Sequence, residues 1–426
     1  MIQLLIIADD FTGALDTGVQ FAIRGIETRV VVGKDADFTS LKAEVLVVDT
    51  ETRHLTAAEA YAAVKDIAAR AGEAGVRYLY KKTDSALRGN IGAELTAVLQ
   101  ASGCRQLPFL PAYPQINRIT RSGIHYIDGV PVTESPFGAD PYEPVRHSCI
   151  RELIAAQSDA AVHNLPALKN AEELPEESGI LVFDAADEED LRSTGKILFR
   201  GKEDGSGNNR MQAFAGCAGF GAVLPELLGL SAKRIPVFPK LDPRLLVVCG
   251  SVNPITLTQL DLAEKAGFTR IRLTPQQKLD PDYWSSSQGR TELADLEKQL
   301  EQHERCIIET NDAGGNGPTA EYAGKLGISS EDLRVQIAGS LGQMLSALFT
   351  SPALGTLLLT GGDTLLQCMR CVGVKELVPI CEMEKGVVLA GFTYKGRTRH
   401  VITKSGGFGQ DRLLIDLAER LDREAE

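Results

Sequence analysis

The sequence predicts an α/β protein of two domains, each a mainly parallel sheet flanked by helices, with a cleft between the domains. Short apolar runs alternate along the chain with stretches whose apolar residues recur at helical spacing. The 426 residues exceed what one hydrophobic core usually organises. A segment with three prolines and few apolar neighbours separates two such series and is typical of a linker. We therefore place the domains at residues 1–230 and 244–426, with a linker at 231–243.

The first domain opens with four strand signals. Apolar runs at residues 4–8, 28–32, 45–48 and 76–80 predict strands, and an alanine-rich stretch at 57–72 predicts a helix. Polar segments follow three of these strands, at residues 9–10, 49–53 and 81–90. Because parallel strands end at the same edge of a sheet, where ligands bind, we expect these segments to form a small-molecule site.

Residues 107–150 depart from this pattern. Asp128 and Gly129 lie between two short apolar segments, which is typical of a tight β-hairpin. We predict a small antiparallel flap here, either part of the site or merely decorative. A strand at 179–184 and a helix at 187–199 then restore the α/β pattern.

The second domain repeats the α/β pattern. Strands are predicted at 245–249, 306–309 and 356–359, a long helix around 333–348, further strands within 377–403 and a last helix ending near Leu421. Glycine-bearing segments at 250–254, 361–364 and 404–409 precede helices. Free N–H groups at a helix N-terminus stabilise phosphate oxygens, and glycine lets the backbone approach closely. This domain is therefore predicted to hold a nucleotide.

Charge and cysteine content restrict the function classes. Lys+Arg 45 against Asp+Glu 57 gives a formal net charge of -12, which argues against nucleic acid or an acidic membrane surface as the main partner. An anionic substrate then needs a local basic pocket. The eight cysteines are scattered, the first residues lack a basic signal segment, and no apolar run approaches the roughly 18 residues of a membrane span. We expect a cytoplasmic protein.

Single motifs leave alternatives open. The sequence contains no P-loop and no Gly-x-Gly-x-x-Gly after the first strand, and a lone Gly-Gly pair is common in plain turns. Asp9 and Asp10 either start a helix, which explains one carboxylate, or lie in the cleft, where one pairs with Lys82 or a metal ion or binds a proton. Arg53 is either a surface arginine or a planar fork for a substrate carboxylate.

Cysteine and histidine spacing predicts no metal site. Cys368 and Cys371 fall within a predicted helix without a second Cys or His pair nearby, so we interpret them as structural. The six histidines show no metal-ligand spacing, and only His125 lies in the unusual segment at 107–150. No residue is assigned as a metal ligand.

Five segments together resemble the four-carbon acid sugar kinase family: residues 8–14 (ADDFTGA), 82–85 (KTDS), 87–90 (LRGN), 360–364 (TGGDT) and 404–409 (KSGGFG). The resemblance spans nearly the whole chain and implies a sugar-acid-binding domain followed by a nucleotide-binding domain. It implies ATP-dependent phosphorylation of the terminal (C4) hydroxyl of a four-carbon acid such as D-threonate or D-erythronate, with Mg²⁺ bridging the phosphates. Residues 82–90 resemble the threonate and erythronate branch more than the 3-oxo-tetronate branch, whereas residues 117–120 depart from an expected Gly-Arg-Thr-like triplet.

The resemblance also implies site residues, carried over position by position. It places the sugar acid against Asp9 or Asp10, Arg53, Lys82, Thr83, Asp84 and Ser85, and ATP against Ser251, Gly361, Gly362, Asp363, Thr364, Gly406 and Gly407.

Phosphoryl transfer then suggests a role for each group in the acid site. We expect Arg53 and Lys82 to bind the substrate carboxylate. Asp84, together with Asp9 or Asp10, is expected to bind hydroxyls. One of these three aspartates, our catalytic candidates, would orient or deprotonate the attacking hydroxyl.

Further expectations concern the surroundings of this site. Arg88 is expected to hold its loop through a carboxylate such as Glu94, and the linker to let the domains close over the substrates. A sugar-acid dehydrogenase or lyase, whose glycine segments hold a dinucleotide or a substrate phosphate, is the alternative enzyme, and a non-catalytic sugar-acid sensor is the alternative outside catalysis. A homo-oligomer is left open.

Overall fold

The computed structural model of the protein describes residues 2–33, 38, 41–140, 143–200, 211–230, 232 and 237–425. The chain divides into two compact units, Met1–Pro236 and Val237–Glu426. Of the predicted linker at 231–243, residue 231 and residues 233–236 lie outside the described residues. Each unit contains its own sheet.

The first unit alternates strands with helices for most of its length. In chain order its elements are β1 (Leu4–Ala8), α1 (Phe11–Ala22), β2 (Thr28–Val32), β3 (Val45–Asp49), α2 (Ala57–Glu73), β4 (Tyr78–Lys82), α3 (Ile91–Ser102), β5 (Gln106–Leu110), β6 (Arg118–Arg121), β7 (Ile124–Ile127), β8 (Val130–Pro131), α4 (Ile150–Ala155), β9 (Val162–Leu165), β10 (Gly179–Phe183), α5 (Glu188–Arg200), β11 (Gln212–Gly216), α6 (Ala218–Gly221) and α7 (Leu224–Leu227).

The main sheet of this unit is parallel. Its strands follow the order β2-β3-β1-β4-β11-β5-β10-β9, and the pairings between these neighbours are parallel. Every residue of β1, β3 and β10 is buried, so both faces of these strands are covered. The predicted parallel sheet flanked by helices is confirmed for this unit.

Some strand predictions were wrong in detail. β4 runs from Tyr78 to Lys82, two residues beyond the predicted end. The prediction stopped at the first charged residue, but Lys81 and Lys82 are both buried in the strand. β5 and β11 were missed: β5 contains Pro108, and β11 is a short run of small residues that follows a long polar segment. β11 nevertheless lies beside β4 in the sheet.

A small antiparallel sheet interrupts the pattern, as predicted. β7 and β8 form the hairpin, and Asp128 (φ 50°) and Gly129 (φ 86°) both adopt the left-handed conformation that a tight two-residue turn requires. β6 pairs with β7 as a third strand. We call residues 118–131 the flap.

The second unit also alternates strands and helices before ending in a meander. Its elements are β12 (Leu245–Cys249), α8 (Pro254–Lys265), β13 (Thr269–Arg272), α9 (Pro275–Leu279), α10 (Ser287–Gln302), β14 (Arg305–Glu309), α11 (Gly317–Leu326), α12 (Ser330–Leu348), β15 (Thr356–Thr360), α13 (Gly362–Val372), β16 (Glu376–Glu384), β17 (Val387–Tyr394), β18 (Arg397–Lys404) and α14 (Leu413–Ala425).

The sheet of the second unit is parallel over most of its width. The order is β13-β14-β12-β15-β18-β17-β16, with parallel pairings up to β18 and antiparallel pairings from β18 to β16. Its core includes Leu245, Val247 and Leu389 from the strands and Leu417 from α14. A mainly parallel sheet flanked by helices is thus confirmed here too.

Two further features bear on the expectations from composition. All eight cysteines have free thiols. Within the described ranges, no helix is both long and apolar enough to cross a membrane.

Candidate functional site

The predicted polar segments of the first unit meet at one edge of its sheet. Ala8 pairs with both Asp49 and Lys82, so β1, β3 and β4 end level with one another. β11 ends beside them, because Gly216 pairs with Lys82. We call residues 9–13, 49–53, 82–90 and 217 the first edge. Its buried residue Cys217, which follows the missed strand β11, was not found from the sequence.

Arg53 lies between Asp9 and Asp10 at the first edge. Its Nε and Nη2 atoms are each 2.7 Å from Asp9 Oδ2, its Nη2 is 2.7 Å from Asp10 Oδ1, and its Nη1 donates to Asp10 Oδ2 at 3.0 Å. Arg53 is buried, so its interpretation as a surface arginine is wrong.

Asp10 both caps a helix and lies at the first edge as a carboxylate. Its Oδ1 accepts from the N–H of Gly13 at 3.1 Å and so caps α1. Burial opposes its ionisation, but Arg53 and Lys82 outweigh burial and lower the pKa of the carboxyl. Asp10 is therefore held as an anion at the edge.

Asp84 is held as firmly by Arg88. Arg88 Nε donates to Asp84 Oδ2 at 2.8 Å and Nη2 to Oδ1 at 3.1 Å, while the backbone N–H groups of Ala86 and Arg88 add bonds of 3.2 Å. Burial raises the pKa of this carboxyl, yet Arg88 and Arg53 hold it well below its usual range. Arg88 thus holds its loop through a carboxylate, as expected, but the partner is Asp84 and the suggested Glu94 was wrong, because Glu94 pairs with Lys81.

The neighbouring lysines of β4 point to opposite faces of the sheet, as the alternation of a strand requires. Lys81 Nζ is 2.9 Å from Glu94 Oε2 in the core. Lys82 lies towards α1: a Cβ atom added to Gly13 would be 2.5 Å from Lys82 Nζ. Among the residues that the structure describes, no carboxylate oxygen lies within 4.0 Å of Lys82 Nζ, although the side chain is buried.

The flap fixes the Ser85 end of the loop. Arg118 Nη1 donates to Ser85 Oγ, and His125 Nε2 donates to Ser85 O at 3.0 Å. Burial lowers the pKa of His125 to about 4, so the ring is neutral at pH 7. The centre of the Phe137 ring is 5.2 Å from Arg88 Cζ and 4.9 Å from Arg118 Cζ, so both guanidinium groups make cation–π contacts with it. The hairpin is therefore more than decoration.

Three buried oxygens at the first edge lack a partner in the described part of the chain, and one of them, Oδ2 of Asp49, belongs to a carboxyl whose ionised form burial disfavours. The other two, Asp9 Oδ1 and Thr83 Oγ1, accept or donate no hydrogen bond within the described part of the chain. Leaving such a group unpaired costs about 1–3 kcal/mol. Together with Lys82 Nζ they form a set of one cation, one carboxylate oxygen and one hydroxyl, which matches a ligand that carries both an acid group and hydroxyls.

Asp49 differs from the other aspartates of this edge. Burial, followed by the nearby Glu51 and Asp10 carboxylates, raises its pKa well above the usual range. Burial and these two carboxylates thus disfavour the ionised form of Asp49.

The glycine-bearing segments of the second unit also meet at one edge. Cys249 pairs with Glu309 and with Thr360, and Thr360 pairs with Lys404, so β14, β12, β15 and β18 end level. We call residues 250–254, 310–312, 361–364 and 404–409 the second edge. The predicted nucleotide-binding residues Ser251, Gly361, Gly362, Asp363, Thr364, Gly406 and Gly407 all lie on it.

These loops pack at distances that require glycine. A Cβ at Gly250 would collide with Thr364 Oγ1, and one at Gly406 would lie 2.5 Å from Ser251 Oγ. Gly361 has φ +107°, and its Cβ would lie 3.2 Å from Thr364 Oγ1. The three segments therefore form one surface of hydroxyls and backbone.

The N-terminus of α13 is open on this surface. Gly361 is its N-cap and supplies no side-chain hydrogen bond, so the first-turn N–H groups, starting at Gly362, have no cap. By contrast, Asn253 Oδ1 caps α8 by accepting from the N–H of Ile255 at 3.0 Å. Asp363 in the first turn is 3.1 Å from Arg334 Nη1. α14 begins only at Leu413, so the segment at 404–409 offers its own backbone rather than a helix N-terminus.

Comparison with known proteins identifies the family to which this chain belongs. Residues 4–224 match a sugar-binding N-terminal domain and residues 246–414 match a nucleotide-binding C-terminal domain. The D-threonate kinase of Salmonella typhimurium is 32% identical over 97% of each chain. This chain belongs to the four-carbon acid sugar kinase family. It is a phosphotransferase, and this membership favours the kinase prediction over the dehydrogenase, lyase and sensor alternatives.

Other members of the four-carbon acid sugar kinase family match over similar lengths. The D-threonate kinase of Bordetella bronchiseptica is 29% identical over 98% of this chain and 96% of its own, and the D-erythronate kinase of Heliobacterium modesticaldum is 28% identical over 96% and 94%. Crystal structures from Salmonella typhimurium LT2 (TM-score 0.77) and of Haemophilus influenzae protein HI1011 (TM-score 0.69) share the fold at 19% identity, each over 98% of this kinase and 99% of the other chain.

Proposed function

We propose that this chain uses ATP to phosphorylate the C4 hydroxyl of a four-carbon sugar acid such as D-threonate or D-erythronate. The observation that carries the proposal is the buried Lys82 ammonium, without a carboxylate of its own within 4.0 Å in the described chain, beside the unpaired Asp9 Oδ1 and Thr83 Oγ1. The names of the full-length relatives support the same substrates. We retain residues 1–230 as the proposed acid-binding domain and 244–426 as the proposed nucleotide-binding domain.

Lys82 is our candidate for the substrate carboxylate. A buried ammonium is costly unless an anion pairs with it. Lys81, its neighbour, already has Glu94, whereas Lys82 is oriented towards Asp10 and the N-terminal turn of α1. A bound carboxylate would supply the missing partner, with Thr83 and Ser85 hydroxyls beside it.

Arg53 contributes through the aspartates. Its Nε and Nη hydrogens already donate to Asp9 and Asp10, so we propose that its main effect on acid binding is to hold these carboxylates in place. Its planar fork suits this task better than a lysine would.

Asp9 is our choice among the three catalytic candidates. Asp84 is held by a bidentate arginine and two backbone N–H groups, which makes it a weak base. Both oxygens of Asp10 accept bonds from Arg53, Gly13 or Thr12. Asp9 Oδ1 has no partner among the described residues and can take the proton of the C4 hydroxyl while the hydroxyl oxygen bonds to the γ-phosphorus and the bond from phosphorus to the ADP oxygen breaks.

The second edge is our proposed site for the ATP phosphates. The uncapped α13 N-terminus and the backbone of Gly406 and Gly407 supply N–H groups for phosphate oxygens. Among the described side chains, no group of three His, Cys, Asp or Glu is arranged to hold a metal ion. Mg²⁺, which usually binds through substrate phosphates and one or two carboxylates, fits this arrangement and would neutralise phosphate charge. Asp363, in the first turn of α13, is our candidate ligand from the protein. A reducing cytoplasm is our proposed location, supported by the eight free thiols.

Release of ADP tests the proposal directly. Purified protein with ATP and Mg²⁺ is assayed against a panel of tetronates and pentonates, and product is identified by mass and by phosphorus NMR. We expect release that depends on D-threonate or D-erythronate and a product phosphorylated at C4. If no sugar acid of the panel stimulates ADP release, the proposal fails.

A further inference from the structure

Lys404 is a buried lysine at the end of β18 whose partners are all neutral. It is 1% exposed, and its Nζ donates to Thr256 Oγ1 at 2.8 Å, to Ser405 O at 3.2 Å and to Gly406 O at 3.3 Å. These three bonds use all three hydrogens of the ammonium. No carboxylate among the described residues lies within 4.0 Å of it.

Two other lysines of the chain are equally buried and differ from Lys404. Lys81 is paired with Glu94, and Lys278, in the same unit as Lys404, is paired with Asp312. Burial without a counter-charge disfavours the ammonium form and lowers the pKa of Lys404 to about 8. The fold therefore retains an uncompensated positive charge beneath the segment at 404–409.

The bonds from Lys404 also set the direction of two peptide groups. The peptides of this segment are trans, so each C=O points opposite to the N–H of the same peptide. Because the carbonyls of Ser405 and Gly406 point at Lys404, the N–H groups of Gly406 and Gly407 point away from it. Neither N–H donates to an acceptor in the described chain, and both glycines are partly exposed.

Thr256 ties this arrangement to the first turn of α8. Its Oγ1 accepts from Lys404 and donates to Gly406 O at 2.7 Å. Gly406 in turn contacts Ser251, since a Cβ there would lie 2.5 Å from Ser251 Oγ. The direction of the two N–H groups is thus fixed relative to the other hydroxyls of the second edge.

We infer that Lys404 is a positioning residue for the phosphates of the nucleotide: it orients the Gly406 and Gly407 N–H groups towards a phosphate group and supplies the buried charge that this anion balances. The inference rests on the proposed function in placing ATP at the second edge. Lys404 does not touch the phosphate, because its hydrogens are used by the loop and Thr256, so its effect passes through the loop.

Calorimetric titration of the full-length protein with ADP and with adenosine tests the inference. Lys404→Met is expected to weaken ADP binding by about 10- to 100-fold, the range for losing charge-assisted hydrogen bonds, and to leave adenosine binding unchanged. Lys81→Met is the control, since it removes an equally buried lysine that lies outside the second edge and should leave the ratio of ADP to adenosine affinity as in the wild type.

A pH series adds a readout that a purely structural role would not move. A bound phosphate favours the ammonium form, so wild-type affinity for ADP should fall as pH rises through about 8, and Lys404→Met should lack this fall. The titratable side chain that acts on Lys404 is the Cys249 thiol of β12, and burial raises its pKa to about 12, so it stays protonated over this range.

The outcomes separate the inference from the proposed function. If the wild-type protein binds neither ADP nor ATP, the proposed nucleotide site is wrong, and the inference fails with it. If the wild type binds ADP, equal losses for ADP and adenosine in Lys404→Met, or no loss for ADP, would overturn the role of Lys404. Should Lys404→Met not fold, Thr256→Val is measured instead: a selective loss of ADP affinity of a few-fold supports the inference, and an unchanged affinity overturns it.

Discussion

The two edges are built from different groups. The first edge holds three carboxylates and two guanidinium groups in ion pairs, with Lys82 beside them. The second edge consists of glycines, hydroxyls and backbone N–H groups, with Lys404 beneath them. A sugar acid presents hydroxyls whose positions differ between isomers, so its recognition needs side chains of fixed direction. A phosphate is similar in every nucleotide, and backbone N–H groups at a helix N-terminus suffice for it.

The largest effect should come from Asp9 at the first edge. Asp9→Asn keeps the shape of the side chain but removes the proposed base, so kcat should fall by about 10²- to 10⁴-fold with little change in the KM for ATP. Asp49→Asn is the matched control, because the raised pKa of Asp49 disfavours its charged form and an amide has the shape of the uncharged carboxyl. Steady-state kinetics with D-threonate and ATP measures both. A kcat near the wild-type value in Asp9→Asn would exclude Asp9 as the base.

Arg53 should have the next largest effect. Arg53→Ala leaves Asp9 and Asp10 as buried like charges without their shared cation, so the KM for the acid should rise by about 10- to 100-fold, and far more than the KM for ATP. Arg53→Lys should recover only part of this loss, since a lysine lacks the planar fork. Equal changes in the KM for the acid and the KM for ATP would show that Arg53 has no specific role in acid binding.

Substitution of Lys82 should affect ligand binding, whereas substitution of its neighbour Lys81 in the same strand should affect stability. Lys82→Met should raise the KM for the acid about tenfold and leave the free energy of unfolding near the wild-type value. Lys81→Met leaves the buried Glu94 carboxylate without its cation and should lower the free energy of unfolding by about 3 kcal/mol. Urea unfolding and kinetics on both variants make the comparison. A large loss of stability in Lys82→Met would identify it as a structural residue.

Gly406 tests the second edge. The added methyl of Gly406→Ala lies 2.5 Å from Ser251 Oγ, so the loop must shift, and the KM for ATP should rise about tenfold while the KM for the acid stays unchanged. A bulky residue at Ser251 should act in the same direction. Gly324→Ala on α11 is the control, because nothing lies within 4 Å of its added Cβ. A rise in the KM for the acid instead would contradict the assignment of the edges.

The smallest effect at neutral pH belongs to His125, which is neutral in the folded protein. Its pKa is lowered to about 4 from about 6.5, so the unfolded chain binds the extra proton first as pH falls. The stability from burying this neutral ring is complete above about pH 6.5 and should be lost, up to about 3 kcal/mol, as pH falls to 4. Chemical unfolding at several pH values measures it. His125→Gln should lack this part of the pH dependence; an identical slope would show that another group causes it.

The sequence predicts those parts of the fold that depend on neighbouring residues better than those that depend on residues far apart in the chain. The apolar runs of β1, β3, β12 and β15 identify buried strands because burial of both faces leaves a local pattern. The strand β11 was missed because a short run such as Ala213-Phe214-Ala215 carries little pattern, although its neighbours in the sheet give it a central place.

The candidate site shows the same limit. The sequence predicts which residues gather at each edge, because strand ends and glycines mark the loops. It does not predict which charges pair: Arg88 binds Asp84 rather than Glu94, and Arg53 binds two aspartates. The partners of Lys404 are two backbone carbonyls and a threonine, which leave no specific sequence signal.

The alternation of Lys81 and Lys82 in β4 has a consequence for how this sequence can change over generations. One residue serves the core and the next serves the edge. Insertion or deletion of a single residue in β4 would exchange the two faces, placing the ligand-binding ammonium in the core and the core ammonium at the edge. The strand should therefore accept exchanges of apolar residues among variants of this chain but not changes of length.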